Sequence, residues 1–330
     1  MKTIDLSRRS IITTMATMGI GAAVPLTATS AAAQTRDAEF VFLSVVTQVP
    51  FWADHRAGLE AAAADLGVKV TFTGPLDFDT AGQARQLDEI IARKPAGLLI
   101  FPGDAAALAP GIDRAIEAGI PVACIIGDVA GSKRSVFLGI SNFDAGRIGG
   151  EMLAEAIGGK GKVLLGTFPA PSTLERVEGY KAVFAEKYPE IEVVDVVNDK
   201  ADPSYAPTAY AQALLANPDV VGIGGTDGDS GKGAALAVIE QGKVGSVKIV
   251  AMDRNPDMLP YITDGTIYGA VAQKSWLESY LAVHLLDWLG QSKIKIVPDS
   301  AAAGINPLPE TVSTGVMRVT KDNVASFMPA

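Results

Sequence analysis

The sequence predicts an α/β fold of two lobes, each built on a parallel sheet. Three observations carry this: short β-branched runs alternate with amphipathic stretches of helical length, the strand runs are continuously apolar, and the rhythm occurs twice with no long Pro/Ser-rich linker. Continuous apolar strands spaced by helices suit a parallel sheet covered on both faces. In the first half, strands are expected at 40–46, 68–73, 97–101 and 121–126, with helices at 52–66, 80–93 and 107–118. In the second half, strands are expected at 163–166, 191–197, 220–223, 248–252 and 267–272, with helices near 173–187, 208–216 and 232–241. Gly67, Gly119, Gly158 and Gly242 stand where helices should end, as C-cap glycines do. A chain of 330 residues suffices for roughly two domains of about 150 residues. Ligands of such sheets sit beyond the carboxyl ends of the strands, and a cleft between lobes is a preferred site.

Composition narrows the function. With 48% hydrophobic and 20% charged residues the chain is globular, and a net charge of −9 argues against a nucleic-acid partner, which needs a basic face. The single cysteine, Cys124, cannot form an internal disulfide; it lies in an apolar strand and reads as buried and inert.

Residues 1–33 read as an export signal: Lys2, Arg8 and Arg9, an apolar run from Ile11 to Leu26, then Ala31-Ala32-Ala33 before Gln34. Gly19, Gly21 and Pro25 break the run, so a permanent span is not expected. Ser7-Arg8-Arg9-Ser10-Ile11-Ile12 resembles the twin-arginine motif, with Ile11, Ile12 and Thr13 at the usual Phe-Leu-Lys positions. Cleavage takes three basic residues and one acidic residue (Asp5) from the totals of 28 and 37, leaving −11. No cysteine is available there for a lipid anchor. A released, acidic protein suits the periplasm.

Several chemical motifs fail. Gly222 to Gly233 (GIGGTDGDSGKG) has Thr226 and Gly233 where a P-loop needs Gly and Ser/Thr. As a calcium loop from Asp227 its glycine is misplaced and its twelfth residue is Val238, not Glu. A dinucleotide fingerprint lacks its third glycine. The stretch reads as a strand end and a turn into a helix. His55 and His284 have no zinc-ligand spacing and no nucleophile to serve, so both read as structural or surface residues. No catalytic set emerges, and no cofactor or metal is expected.

Marks in order along the chain resemble a known family. They are Pro50-Phe51-Trp52, Gly119-Ile120-Pro121-Val122, Ser132-Lys133-Arg134 and Gly139-Ile140-Ser141-Asn142-Phe143-Asp144-Ala145-Gly146-Arg147. Then come Arg176-x-x-Gly179-Tyr180, Asn217-Pro218-Asp219-Val220, Asp253-Arg254-Asn255-Pro256, Thr314-Gly315-Val316 and Thr320-Lys321-Asp322-Asn323-Val324. From Ala38 to Phe327 the sequence resembles the periplasmic sugar-binding proteins of the ribose/galactose-binding type, which share their core with LacI-like repressors. The resemblance implies the type 1 periplasmic binding fold: two Rossmann-like lobes, joined by a three-segment hinge, that close on one ligand. Crossings are expected near Ile140–Asn142, Gln273–Ser275 and Ala303–Pro307. This puts 34–140 with 274–303 in the N-terminal lobe and 141–273 with 304–330 in the C-terminal lobe. It implies a monomer that delivers a small molecule to an ABC permease in the inner membrane, and in some relatives presents it to a chemoreceptor or sensor.

By the same resemblance, Phe51 and Trp52 stack on a sugar ring, Arg176 forks onto two ligand oxygens, Asp253 accepts hydroxyl protons, and Gln273 both gives and takes. The structural alternatives are a buried helix start for Phe51 and Trp52, a solvated helix charge for Arg176, a helix N-cap for Asp253 and a hinge hydrogen bond for Gln273. Asp128, Asn142, Thr226 and Asp227 fall at further ligand positions. Departures matter too. The usual Asn before Pro-Phe is Val49, the usual Asp after Gly-Ile-Pro is Ile126, the Asp-Asn pair is Ser141-Asn142, and Asn-Asp is Thr226-Asp227. Each lost hydrogen bond would leave a buried sugar hydroxyl unpaired at a cost of roughly 1–3 kcal/mol. The expected ligand is therefore less hydroxylated: a deoxy sugar, a short polyol or a small cyclic compound, with Arg176 able to tolerate a carboxylate. An exported enzyme, a regulator core and a sensor partner are the alternatives; the export signal and the missing helix-turn-helix oppose the regulator.

Overall fold

The computed structural model describes residues 36–300 and 302–328. The export signal expected at 1–33 lies outside the described residues.

The first half lays down β1 (Glu39–Leu43), α1 (Trp52–Leu66), β2 (Lys69–Thr73), α2 (Thr80–Arg93), β3 (Gly97–Ile100), α3 (Ala105–Glu117), β4 (Val122–Ile125) and β5 (Val136–Gly139). The second half gives α4 (Asn142–Ile157), β6 (Lys160–Thr167), α5 (Pro171–Lys187), β7 (Glu190–Asn198), α6 (Ala206–Ala216), β8 (Val220–Gly225), α7 (Ser230–Glu240), β9 (Lys248–Met252), α8 (Leu259–Thr263) and β10 (Gly269–Gln273). The chain closes with α9 (Ser275–Gly290), β11 (Thr311–Ser313), β12 (Val316–Thr320) and a 3₁₀ turn at Val324–Phe327. Gly67 and Gly158 cap α1 and α4 in the left-handed region, where glycine carries no side-chain penalty.

Two six-stranded sheets result, in the orders β11-β5-β4-β3-β1-β2 and β12-β10-β9-β8-β6-β7. Every described pairing is parallel except β10 with β12. The orders correspond strand for strand, so one topology is used twice without a close sequence repeat. In the first sheet, Phe40 and Phe42 face Leu59, Val283 and Leu286 of α1 and α9. Val41 and Leu98 face Leu87 of α2 and Ile112 of α3 on the other side. The second sheet packs on α6 and α7 through Tyr210 and Val238, and on α4 and α5 through Met152 and Tyr180. Covered on both faces, the strands need continuous apolar sequence, which is the pattern the sequence shows. Phe42, fully buried with Trp52, His55 and Phe72 around its ring, is the kind of side chain whose truncation costs about 3–5 kcal/mol.

The chain passes from one sheet to the other at Ile140–Ser141, at Lys274 and at Thr314–Gly315. The third passage corrects the one expected at Ala303–Pro307. Residues 303–313 still belong with the first sheet: Asn306 Nδ2 donates to the Ser135 carbonyl (2.6 Å), Leu308 packs in its core, and β11 pairs with β5. Only after Ser313 does the chain leave, to add β12 beside β10. The segment before Thr311 precedes an edge strand of the first sheet.

Candidate functional site

The carboxyl ends of the two parallel sheets face each other across a cavity, the place where ligands of such sheets bind. The first lobe contributes Val46, Val49, Phe51 and Trp52 after β1, Phe101 after β3 and Ile126 after β4. The second contributes Phe168, Ser172, Thr173 and Arg176 after β6, Ala201 after β7, Asp227, Gly228 and Asp229 after β8, Asp253 after β9 and Gln273 at the end of β10. The walls differ in kind. Apart from the Trp52 indole N–H, the first lobe presents only hydrocarbon, and every charged group comes from the second.

Arg176 shows how local sequence positions a side chain. Gly146 on α4 lies against the Arg176 backbone, and Gly179 on α5 lies against Phe143; a Cβ at either would collide with main chain. The two helices therefore pack backbone to backbone and hold Arg176 over the second sheet. Its Nε donates to Asn142 Oδ1 (3.0 Å) and its Nη1 to the Thr226 carbonyl (2.8 Å), while Nη2 has no partner. Burial lowers its pKa, with Asp253 and Asp227 opposing.

Ile126 and Asp253 occupy corresponding positions, each the first residue after the corresponding strand of its sheet. Both are left-handed, with φ of 68° and 69°. Each amide donates to the neighbouring strand, Ile126 to Leu138 (3.1 Å) and Asp253 to Val271 (2.8 Å), so the turn is the same in both lobes. A β-branched residue is a conformational outlier there, and strain of this order, about 1–3 kcal/mol, clusters at ligand sites. One turn offers a carboxylate to the cavity and the other an aliphatic chain. Burial pushes Asp253 up to about 6 against the lowering influence of Arg176 and of Gln273, whose Nε2 donates to Asp253 Oδ1 (2.9 Å). Gln273 Oε1 is left buried and unpartnered.

Of the expected ligand residues, the structure brings Phe51, Trp52, Arg176, Asp227, Asp253 and Gln273 to the cavity wall. Three others, Asp128, Asn142 and Thr226, are not among the residues that line the cavity. Asp128 forms a bidentate ion pair with Arg134 six residues on. Asn142 bridges the lobes, donating to the Ile126 carbonyl (2.8 Å) while orienting Arg176. Thr226 donates its hydroxyl to the Gly166 carbonyl (2.8 Å) and orients Arg176 through its own carbonyl. Asp227 reaches the wall, but its carboxylate accepts from the amides of Asp229 (2.9 Å) and Ser230 (3.0 Å), capping α7. Val49 and Ile126, the aliphatic departures, do line the cavity. Asp229, Phe168, Ser172 and Thr173 were not foreseen; the rule that ligands sit beyond strand ends pointed to the β6 and β8 loops that carry them.

Behind the wall, His55 is fully buried, its Nδ1 2.7 Å from Ser279 Oγ, and burial lowers it to about 3, so it is neutral. Cys124 is sealed in β4 and burial raises its thiol to about 12. Among the described residues, no group of acidic, His or Cys side chains has the arrangement of a metal site.

Residues 40–293 match the family model described as "Periplasmic binding protein domain". The chain belongs to that family. A ribose import binding protein, RbsB, of Bacillus subtilis is 26% identical over 240 residues, covering 72% of this chain and 77% of the relative. A xylitol-binding protein of Mycolicibacterium smegmatis is 26% identical over 266 residues, 78% and 74% of the two chains. Among solved structures, the arabinose-binding protein AraP of Geobacillus stearothermophilus aligns with a TM-score of 0.73 at 33% identity, over 89% of this chain and all of that one. A solute-binding protein of Burkholderia graminis, solved with D-arabinose, aligns with a TM-score of 0.81 at 28% identity, over 90% and 99%. The relatives named here are binding proteins, and this periplasmic binding protein shares their two-lobed frame.

Proposed function

We propose that this periplasmic binding protein captures a small sugar or polyol by closure of its lobes and delivers it to an ABC permease in the inner membrane. One observation carries the reading. The cavity wall holds four polar groups, all buried in the protein, that lack an internal partner: Trp52 Nε1, Ser172 Oγ, Arg176 Nη2 and Gln273 Oε1. Each costs about 1–3 kcal/mol unless something in the cavity bonds it. Three donors and an acceptor around the cavity, one donor from the first lobe and the rest from the second, suit a polyhydroxylated ring, and the aromatic rings of the first lobe suit its C–H surface. The hydrocarbon at Val49 and Ile126 supports a ligand with fewer hydroxyls on that side. Three carboxyl groups beside a single guanidinium oppose an anion, so the tolerance of Arg176 for a carboxylate is not used.

Closure would work as selection. A ligand touching both walls stabilises the arrangement in which they meet, and a permease favouring one lobe arrangement reads that population. Export through the signal at 1–33, by the twin-arginine route, and a monomeric state complete the proposal. So do lobes bounded by the three passages. Among the described residues no helix is long and apolar enough to cross a membrane.

The test is a thermal-shift panel of pentoses, hexoses, deoxy sugars, polyols and aldonates on the purified protein. A ligand at a hundredfold excess over its Kd stabilises the native state by about 2.7 kcal/mol. The expected result is a hit among sugars or polyols that Arg176→Ala and Asp253→Ala each abolish. A hit insensitive to both variants, or a shift only with aldonates, overturns the reading.

A further inference from the structure

Among the described residues, Asp229 is the acidic side chain on the cavity wall that has no internal partner. Asp227 is engaged by the start of α7, and Asp253 accepts from Gln273. The Asp229 side chain caps nothing and makes no hydrogen bond, although the residue is only 7% exposed. Its surroundings make the charge costly. Asp227 beside it, Asp253 and Asp257 after β9, and Asp202 before α6 all oppose its ionisation, and burial does so most, holding it at about 8. Lys232, the nearby cation, is paired with Asp257 (2.6 Å). Arg176 stands on the same wall but is spoken for by Asn142 and the Thr226 carbonyl. The first lobe brings no charged side chain to the cavity.

A ligand hydroxyl could meet this carboxyl only in its uncharged form, and hydroxyl acceptors already exist in Asp253 and Gln273; an ammonium would meet it as a carboxylate. What Asp229 itself lacks is a paired cation. The opposite wall is compatible with one, because the ring faces of Phe51 and Trp52 attract a cation that aliphatic side chains would only desolvate. We infer that the ligand is an amino-substituted polyol or sugar, whose ammonium pairs with Asp229 while its oxygens meet Arg176 Nη2 and the Trp52 indole and a hydroxyl donates to Gln273 Oε1. This deepens the sugar-or-polyol reading and rests on it.

Because the carboxyl is largely protonated when the cavity is empty at pH 7, an ammonium that ionises it expels its proton. The experiment is titration calorimetry on the full chain with xylitol, D-arabinose and D-ribose. Each is compared with its monoamino-deoxy derivatives and its acid counterpart, in two buffers of different ionisation enthalpy. At least one amino compound is expected to bind tenfold or more tighter than its neutral parent, with proton release to the buffer. Asp229→Asn is expected to cut that advantage to below threefold, with its melting curve recorded as the check on folding. Neutral parents that bind as tightly as every amino derivative overturn the inference and leave the sugar-or-polyol reading standing. An amino preference that survives Asp229→Asn, or that comes without proton release in the wild-type chain, also overturns it. Binding by no member of the set overturns both.

Discussion

At the scale of single residues, the two left-handed turns show how a shared backbone has been given different chemistry. Ile126 and Asp253 leave corresponding strands at the same φ and donate to corresponding neighbours, yet one presents carbon and the other oxygen. Val49 completes the carbon wall. Val49→Asn should therefore restore an amide to that side and raise the affinity ratio of a pentose over its deoxy analogue by about tenfold, the 1.4 kcal/mol of one good hydrogen bond. Paired calorimetric titrations measure it, and an unchanged ratio would mean that the ligand does not face this wall. The cavity-wall position of Phe51, Arg176, Asp253 and Gln273 was legible because each falls at a position of the family whose motifs the chain carries. The Asp128 pair was not legible: its partner Arg134 lies six residues on, inside the Ser132-Lys133-Arg134 mark. Asp229 was hidden because the Gly-rich turn around it fits no phosphate or calcium loop, and the sequence does not reveal that Asp227 beside it would be consumed by capping.

At the scale of elements, α9 ties the three passages together. Glu278, in its first turn, is fully buried and meets the Thr314 hydroxyl (2.8 Å) at the third passage. The Thr314 amide in turn donates to the Gly139 carbonyl (2.8 Å) at the end of β5, just before the first passage. The other carboxyl oxygen, Oε2, has no partner. Burial raises Glu278 from its ordinary 4.5 to about 7, with Asp253 adding to the rise and Thr314 and Arg176 opposing it. The folded state thus holds a proton that the unfolded chain has already lost between pH 4.5 and 7. Stability from this group is fully present below 4.5 and declines as pH rises towards 7. Glu278→Gln should flatten part of that decline, so that its melting temperature relative to wild type rises steadily from pH 5 to pH 7.5; a pH-independent difference would contradict the assignment. The alternation of strands and helices was legible because parallel strands leave a continuous apolar trace. The third passage was not, since β11 is three residues long and carries too little pattern to announce which sheet it joins.

For the whole molecule, the lobes meet through more than the cavity. Asp54 on α1 pairs with Arg254 beyond β9, Phe78 lies edge-on to Phe168 at 5.4 Å, and Asn142 reaches across to Ile126. The Asp54–Arg254 pair is half exposed, so it is worth no more than about 0.2–1 kcal/mol. Arg254→Ala should accordingly loosen closure, weakening ligand binding by two- to fivefold at low salt with a smaller effect at 0.5 M salt, as read by calorimetry at both ionic strengths; an effect indifferent to salt would exclude the ion pair as its source. Two-lobedness was legible from the doubled rhythm, whereas the first two of these bridges join residues 200 and 90 positions apart and left no local trace. The unlike walls also set an order of events. A solute arriving in an open cleft finds its hydrogen-bonding partners, apart from the Trp52 indole, on the second lobe alone, so it is recognised before the first lobe arrives. The first lobe then contributes mainly the expulsion of water. Discrimination and retention are in this way divided between two halves of one chain, and each can be retuned with little disturbance to the other.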